Sequence, residues 1–301
     1  MELSWPIRLR IGAVIATGVV FIGILAWPLA APPDPLGAVQ VSNISLGGAI
    51  TLVLLALSVG FVAYFLSWPY GREIGVLAVP SGLAVWALRS GSMAQLMQLN
   101  PTLSQRQALF AALKWEPFFW LLILAAGFVG VQLGRNIRLN SKPAFEPPSS
   151  NPKSNTYLNG IVALVGTGLI TQLCISLLAQ DVKMFDHRLG SVVAQPAIGQ
   201  IVFAITVSFA LAAFAVKKYL NASYICPIIA CGLVAVTAFF KITYIKHGIL
   251  KHLVQSWPAT FFSNPVICIL PLQMMAFGTL ASIAGYWLAV RYTYRRKHEP
   301  K

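Results

Sequence analysis

The sequence is poor in charged side chains, and acidic ones are the scarcest. Charged residues make up 10% of the 301 residues, and Asp and Glu together number 8, whereas a soluble domain carries about 25% charged residues. All eight acidic residues fall in connections or at the ends of the apolar runs described below. A proton- or sodium-coupled carrier needs a negative partner at membrane depth. The scarcity of acid therefore argues against such a carrier, as it argues against a soluble fold.

Catalytic motifs are also missing. The sequence contains no G-x-S-x-G, no Walker P-loop, no G-x-G-x-x-G and no H-E-x-x-H. The four cysteines each lie in an apolar run, none of them in a C-x-x-C pair, and we expect them to behave as small buried hydrophobes; they are Cys174, Cys226, Cys231 and Cys268. The sequence predicts no cofactor.

Long apolar runs dominate what is present. The chain is 57% hydrophobic, with a mean hydropathy of +0.73, and about 20 apolar residues suffice to cross the hydrocarbon core. Eight runs qualify, at about 11–31, 46–68, 73–90, 117–134, 158–180, 196–216, 222–244 and 264–290. They are too long for barrel strands and lack their alternation. The predicted fold class is an all-α integral membrane protein of eight transmembrane helices.

The first run allows two interpretations. Two arginines precede it, and the small residues and Pro of "WPLAAPPD" follow it, which is the layout of a cleaved signal peptide. The same layout suits a retained first helix. The weak internal similarity described below favours a retained helix, because an equivalent segment recurs in the middle of the chain.

Basic residues predict how the helices are oriented. The net charge is +14, but no nucleic-acid-binding pattern accompanies it, so no nucleic-acid partner is expected. Most Lys and Arg fall in cytoplasmic segments if the N-terminus lies inside. This arrangement predicts a multi-pass protein of the cell (cytoplasmic) membrane with both termini in the cytoplasm. The expected partners are the lipid bilayer, anionic lipid headgroups at the cytoplasmic face, and further membrane subunits.

The chain divides near its midpoint. "NSKPAFEPPSSNPKSN" is typical of a flexible linker, so the predicted organisation is a first four-helix unit over 1–140, a linker over 141–157, and a second unit with a basic tail over 158–301. Shifting the sequence by 150 residues gives weak matches, which include Thr17-Gly18 with Thr167-Gly168, Ser58 with Ser208, and Gly82-Leu83 with Gly232-Leu233. These matches suggest two parallel four-helix repeats.

Polar side chains inside the apolar runs are the candidate site residues. Ser, Thr and Gln there either line a solute path or bond across helices, and Lys241 either extends its stem to the headgroups or is a buried functional cation. The candidates are Thr17, Ser58, Thr167, Gln172, Gln200, Ser208, Lys241 and Gln273.

Two outer segments, at about 98–120 and 244–265, occupy equivalent places in the two halves. Ser104 and Gln107 have the spacing of a capping box, which indicates a short interfacial helix. We expect Trp115 and Trp257 to anchor these segments at headgroup depth.

Three histidines fall on the predicted outer face, and imidazoles can bind a transition metal. They are His187, His247 and His252. His247 and His252 are five residues apart, a poor spacing for one helix face, so we expect solvated side chains and no metal site.

Three hypotheses for function follow. A non-catalytic membrane subunit or scaffold agrees best with the absence of motifs and of acid at membrane depth. A permease for a neutral or amphipathic solute or lipid agrees with the repeat and the intramembrane polar groups. A metal-dependent enzyme at the outer face would require the three histidines to converge.

Overall fold

A computed structural model describes residues 5–35, 37–137, 156–187, 190–245 and 264–298. Within these ranges, seven helices are long and apolar enough to cross a membrane, and an eighth span results if the pair Gly71–Arg89 and Met93–Leu99, bent by 51°, counts as one. The seven are Trp5–Leu25, Leu46–Leu66, Leu103–Ile137, Leu158–Leu178, Ile198–Leu220, Ile225–Thr243 and Pro271–Arg296. The chain is therefore a polytopic α-helical membrane protein.

The described residues of the first half form seven α-helices. They are α1 (Trp5–Gly18), which continues as a π-helix over Val19–Leu25, α2 (Leu46–Leu66), α3 (Gly71–Ile74), α4 (Ala78–Arg89), α5 (Met93–Leu99), α6 (Leu103–Leu113) and α7 (Glu116–Ile137). Short 3-10 turns lie at Trp27–Leu29, Val41–Asn43 and Gly75–Leu77. Ser45 caps α2, since its hydroxyl accepts a hydrogen bond from the Gly48 amide at 3.1 Å.

The second half contains α8 (Thr156–Leu178), α9 (Ile198–Leu220), α10 (Ile225–Phe240) and α11 (Pro271–His298). A π-helix over Lys241–Ile245 continues α10, and a 3-10 turn at Pro265–Cys268 precedes α11. The connection between α8 and α9 holds an antiparallel hairpin of β1 (Val182–Asp186) and β2 (Gly190–Ala194), in which Met184 pairs with Val192. The eight apolar runs did not predict this hairpin, because it lies in a connection rather than in a span.

The capping box expected at the start of α6 lies two residues earlier than predicted. Thr102 is the N-cap: its hydroxyl accepts from the Gln105 amide, and the Gln105 side chain accepts from the Thr102 amide. Ser92 and Gln95 form an equivalent box at the start of α5. Two capped helices therefore follow α4 directly, where the sequence predicted one short interfacial helix.

Contacts divide the chain into two compact units. Unit 1 comprises 1–33, 39–89 and 118–156, and unit 2 comprises 34–38, 90–117 and 157–301. In unit 1, α2 and α7 pack in close contact through glycine. A Cβ added to Gly60 would overlap the Gly127 carbonyl, and one added to Gly130 would overlap the Leu57 carbonyl. Small residues allow such backbone contact inside a membrane.

Unit 2 is built around α11, whose first half is almost entirely buried. A Cβ on Gly285 would overlap the carbonyl of Ala210 in α9. Gln195 joins two further parts of this unit: its Oε1 accepts from the Ala94 amide at 2.7 Å, and its Nε2 donates to the Cys268 carbonyl at 3.1 Å. Residues 90–117 thus pack with the second half of the chain although they belong to the first half in sequence.

Candidate functional site

A groove of about 400 Å³ lies between α8 and α10 of unit 2. Both helices are apolar along most of their length, yet each contributes polar side chains here. The groove is lined by Leu169, Gln172, Leu173, Ser176, Thr237, Ala238, Lys241, Asn264 and Val266. Its volume falls within the range of small-molecule sites, about 300–1,000 Å³.

The polar residues of the groove come in two pairs. Gln172 and Ser176 are four residues apart on α8, and Thr237 and Lys241 are four apart where α10 ends. Residues at this spacing share one helix face. Gln172 and Lys241 each lie sixteen residues beyond the start of their helix, which corresponds to about 24 Å of rise. In a hydrocarbon core about 30 Å thick, both therefore lie towards one interface.

The two hydroxyls of the groove are bonded to their own helices. Ser176 Oγ donates to the Leu173 carbonyl at 2.7 Å, and Thr237 Oγ1 donates to the Val234 carbonyl at 3.1 Å. Each oxygen keeps lone pairs with which it can accept from a ligand. Asn264 Oδ1 accepts from the Val266 amide at 3.1 Å, which fixes the orientation of that side chain.

Lys241 supplies the charge of the groove. Its side chain is exposed, and the residue begins the π-helical segment Lys241–Ile245. Short π segments occur frequently at functional sites. The sequence has no acidic residue from His187 to His298, so no carboxylate lies near Lys241 along the chain. An anion from outside could therefore bind to this ammonium.

The walls of the groove are apolar. Leu169 is 64% exposed and Leu173 63% exposed, and they alternate with Gln172 and Ser176 along α8. Val266 also lines the groove and is buried. A cationic and hydrogen-bonding surface thus lies beside a hydrocarbon surface, an arrangement that matches a molecule with an anionic head and an apolar tail.

The structure brings Gln172 and Lys241 together and places the other candidate residues elsewhere. Gln200 Nε2 donates to the Leu178 carbonyl at 2.9 Å and joins α9 to α8. Gln273 Oε1 accepts from the Leu270 amide at 3.2 Å, at the start of α11.

The four hydroxyl candidates donate to carbonyls of their own helices four residues earlier. The acceptor carbonyls are those of Ala13 for Thr17, Leu54 for Ser58, Ala163 for Thr167 and Ala204 for Ser208. These bonds satisfy the hydroxyl protons without a ligand.

The outer-face candidates are only partly described. His187 is exposed, with its ring 5.7 Å from that of Phe185. His247, His252 and Trp257 lie outside the described residues. Trp115 is 58% exposed, and its ring meets Phe240 edge-on at 5.7 Å. Within the described ranges, no group of three or more His, Cys, Asp or Glu residues could hold a metal.

Sequence reasoning missed Ser176, Thr237 and Asn264 as groove residues. The spacing of the two polar pairs was a usable signal, because two i, i+4 polar pairs in otherwise apolar helices define two polar faces. Nothing in the sequence showed that these faces meet, and Asn264 joins them from a turn far along the chain.

Known proteins offer no closer identification. No protein-family model matches this chain, and neither a curated protein nor a solved structure is significantly similar to it. The class of protein, a polytopic membrane protein, therefore rests on the helices themselves, and the function must be argued from the groove.

Proposed function

We propose that this protein binds an anionic amphiphile, such as a fatty acid or a lipid, taken laterally from the bilayer, and that it is a permease for such molecules. The observation that carries the proposal is the α8–α10 groove, where Lys241 and Gln172 adjoin the exposed leucines of α8. A scaffold function has less support. The exposed apolar faces that a partner subunit would bind are equally explained by contact with lipid tails.

Each part of the groove has a role in this proposal. The Lys241 ammonium attracts a carboxylate or phosphate head, and charge-assisted hydrogen bonds of this kind are stronger than neutral ones. The Gln172 amide offers donors to the same head, while Ser176 and Asn264 add polar contacts. The tail lies against Leu169 and Leu173, so that the ligand need not leave the hydrocarbon phase.

We also infer that the two halves arose by duplication. Gly127 and Gly134 of α7 recur 151 residues later as Gly278 and Gly285 of α11. In each unit the later glycine approaches the second long helix: a Cβ on Gly134 would meet Tyr64 of α2, and one on Gly285 would meet Ala210 of α9. In both halves the first helix is also the least buried of the long spans. The basic residues favour cytoplasmic termini for this duplicated unit.

A photoactivatable fatty acid tests the groove directly. Protein in nanodiscs of zwitterionic lipid is irradiated with the probe, and cross-linked peptides are mapped by mass spectrometry. We expect labelling within 169–176 to fall about tenfold in Lys241→Gln, since one charge-assisted contact is worth about 1.5–3 kcal/mol. The matched control is Arg135→Gln, which removes an exposed cation of unit 1.

A photoactivatable fatty alcohol of equal length separates recognition of the anionic head group from nonspecific partition of the probe into the lipid around the protein. The acid should label 169–176 more than the alcohol in the wild type and equally in Lys241→Gln. Equal labelling by both probes in the wild type would contradict the proposal, and so would an unchanged pattern in the Lys241 variant.

A further inference from the structure

A second cationic feature lies at the far end of unit 2, where α9 and α11 end. We call it the C-terminal patch; it comprises Lys217, Lys218, Arg291, Arg295 and Arg296, with the rings of Tyr286 and Tyr292. The Phe214 and Tyr292 rings lie 5.8 Å apart, so the two helices are adjacent at this end. The patch is separate from the α8–α10 groove, because Lys217 is the twentieth residue of α9 and lies about 30 Å along its axis.

The length of α11 places the arginines at the membrane surface. The helix has 28 residues, equal to about 42 Å of rise, whereas the hydrocarbon core is about 30 Å thick. Its last turns therefore extend beyond the core, and Arg291, Arg295 and Arg296 on these turns are exposed. Tyr292, which is 44% exposed, lies among them, and tyrosine is enriched at headgroup depth.

The two lysines are held by neighbouring side chains. Lys217 Nζ donates to Asn221 Oδ1 at 2.7 Å and lies 4.9 Å from the centroid of the Tyr286 ring. Lys218 Nζ lies 5.1 Å from the centroid of the Tyr292 ring. Asn221 adopts a left-handed conformation with φ of 50° that ends α9. A lysine ammonium has three donors, so the contact with Asn221 leaves two on Lys217 for another acceptor.

The two lysines of the patch lack acidic neighbours in sequence, and Glu299 is the one acidic residue near its arginines. No Asp or Glu occurs between Asp186 and Glu299, a stretch that includes all of α9, α10 and α11. Clusters of four to eight Lys and Arg beside a transmembrane helix bind anionic lipids. Five cations with aromatic rings at headgroup depth match a phosphate group held at the bilayer surface.

We propose that the C-terminal patch is a binding site for the phosphate headgroup of an anionic phospholipid in the adjoining leaflet. Lys217 and Lys218 contact the phosphate, the Tyr286 and Tyr292 rings keep both ammonium groups at its depth, and the arginines of α11 add long-range attraction. A lipid is the occupant because the patch lies at the height at which α11 leaves the hydrocarbon core.

Titration with phosphatidylglycerol, followed by native mass spectrometry in neutral detergent, tests this site. All proteins carry Lys241→Gln, so that the groove does not contribute. We expect Lys217→Gln with Lys218→Gln to weaken binding about 30-fold, or about fivefold per lysine. The matched control is Arg8→Gln with Arg10→Gln, which removes two cations predicted to lie on the same side of the membrane.

The control double variant should change the affinity less than about threefold, and a Lys217→Arg, Lys218→Arg variant should bind nearly as the parent does. Lys218→Gln alone changes only an exposed residue, and its fivefold loss provides a readout that does not depend on folding of the double variant. Equal losses in the two double variants would show attraction by net charge alone and overturn the site. Undiminished binding without the two lysines would also overturn it.

Discussion

Two helix pairs that the proposed duplication relates to each other pack differently in the two halves of the chain. In unit 1, α1 and α4 are in backbone contact: a Cβ on Gly18 would overlap the Ala78 carbonyl, and Trp86 Nε1 donates to the Gly23 carbonyl at 3.2 Å. In unit 2, the proposed duplication pairs α8 and α10 with α1 and α4, and Gly168 with Gly18. A Cβ on Gly168 would meet only Val234 at 3.9 Å, so α8 and α10 lack the backbone contact seen at Gly18. One interface is closed, and the other forms the groove.

Side-chain size and polarity explain the difference. Trp86 fills the closed interface with its ring, 6.3 Å from both Trp27 and Trp120, whereas the residue 150 positions later is Val236. Ile22 and Ala87 are buried in unit 1, where unit 2 has the exposed Gln172 and Thr237. Under the proposed duplication, one copy of this helix pair is closed by packing and the other is open as the groove.

Removing the tryptophan should have the largest effect on this contrast. Trp86 is fully buried, so Trp86→Ala should leave a cavity and lower the free energy of unfolding by about 3–5 kcal/mol. Val236→Ala, at the counterpart position, should cost about 1 kcal/mol or less. Denaturant unfolding in mixed micelles measures both, and equal losses would show that the two interfaces pack alike.

Glycine replacement compares the helix contacts themselves. Gly18→Ala should cost about 1–3 kcal/mol, because α1 and α4 must separate to admit the methyl group. Gly168→Ala should be neutral or stabilise by up to about 1 kcal/mol, since alanine favours a helix over glycine. Thermal unfolding of the two single variants measures the change in stability of each. A destabilised Gly168 variant would mean that α8 contacts α10 closely.

Converting the groove to the residues of unit 1 should change binding more than stability. Gln172→Ile with Thr237→Ala should shift the unfolding free energy by less than about 1 kcal/mol. The same variant should reduce fatty-acid cross-linking within 169–176 about three- to tenfold, as loss of one hydrogen bond predicts. Cross-linking at the wild-type level would place the ligand away from α8.

The smallest effect is expected in the buried core of unit 2. Ser282 is fully buried, and its hydroxyl lies against the Cys231 thiol, a weak hydrogen-bond partner. The residue aligned with it through the recurring glycines of α7 and α11 is Val131. Ser282→Ala should therefore leave stability unchanged or raise it by up to about 1 kcal/mol. A clear loss of stability would show that the contact between this hydroxyl and Cys231 stabilises the unit.

The sequence by itself determined seven of the eight predicted spans. The third predicted run, at about 73–90, falls in the bent pair Gly71–Arg89 and Met93–Leu99, which is a span only if the two helices count as one. Runs of about 20 apolar residues must be helical in lipid, because every backbone group has to be bonded internally, and the predicted runs agree with the observed helices to within several residues at their ends. The sequence also isolated Lys241 as a cation near a helix end. These conclusions depend on length and composition alone.

Tertiary structure alone decided which faces meet. In a soluble helix, an apolar stripe identifies the buried face, but the apolar residues of α2 and α8 are spread around each helix, so no stripe distinguishes the lipid-facing side from the protein-facing side. Close packing at small residues such as Gly18 and Gly130 decides which helix faces contact protein. Such packing is absent at Gly168, where the groove is open. For the same reason the sequence did not assign residues 90–117 to unit 2, because that assignment depends on long-range contacts such as those of Gln195.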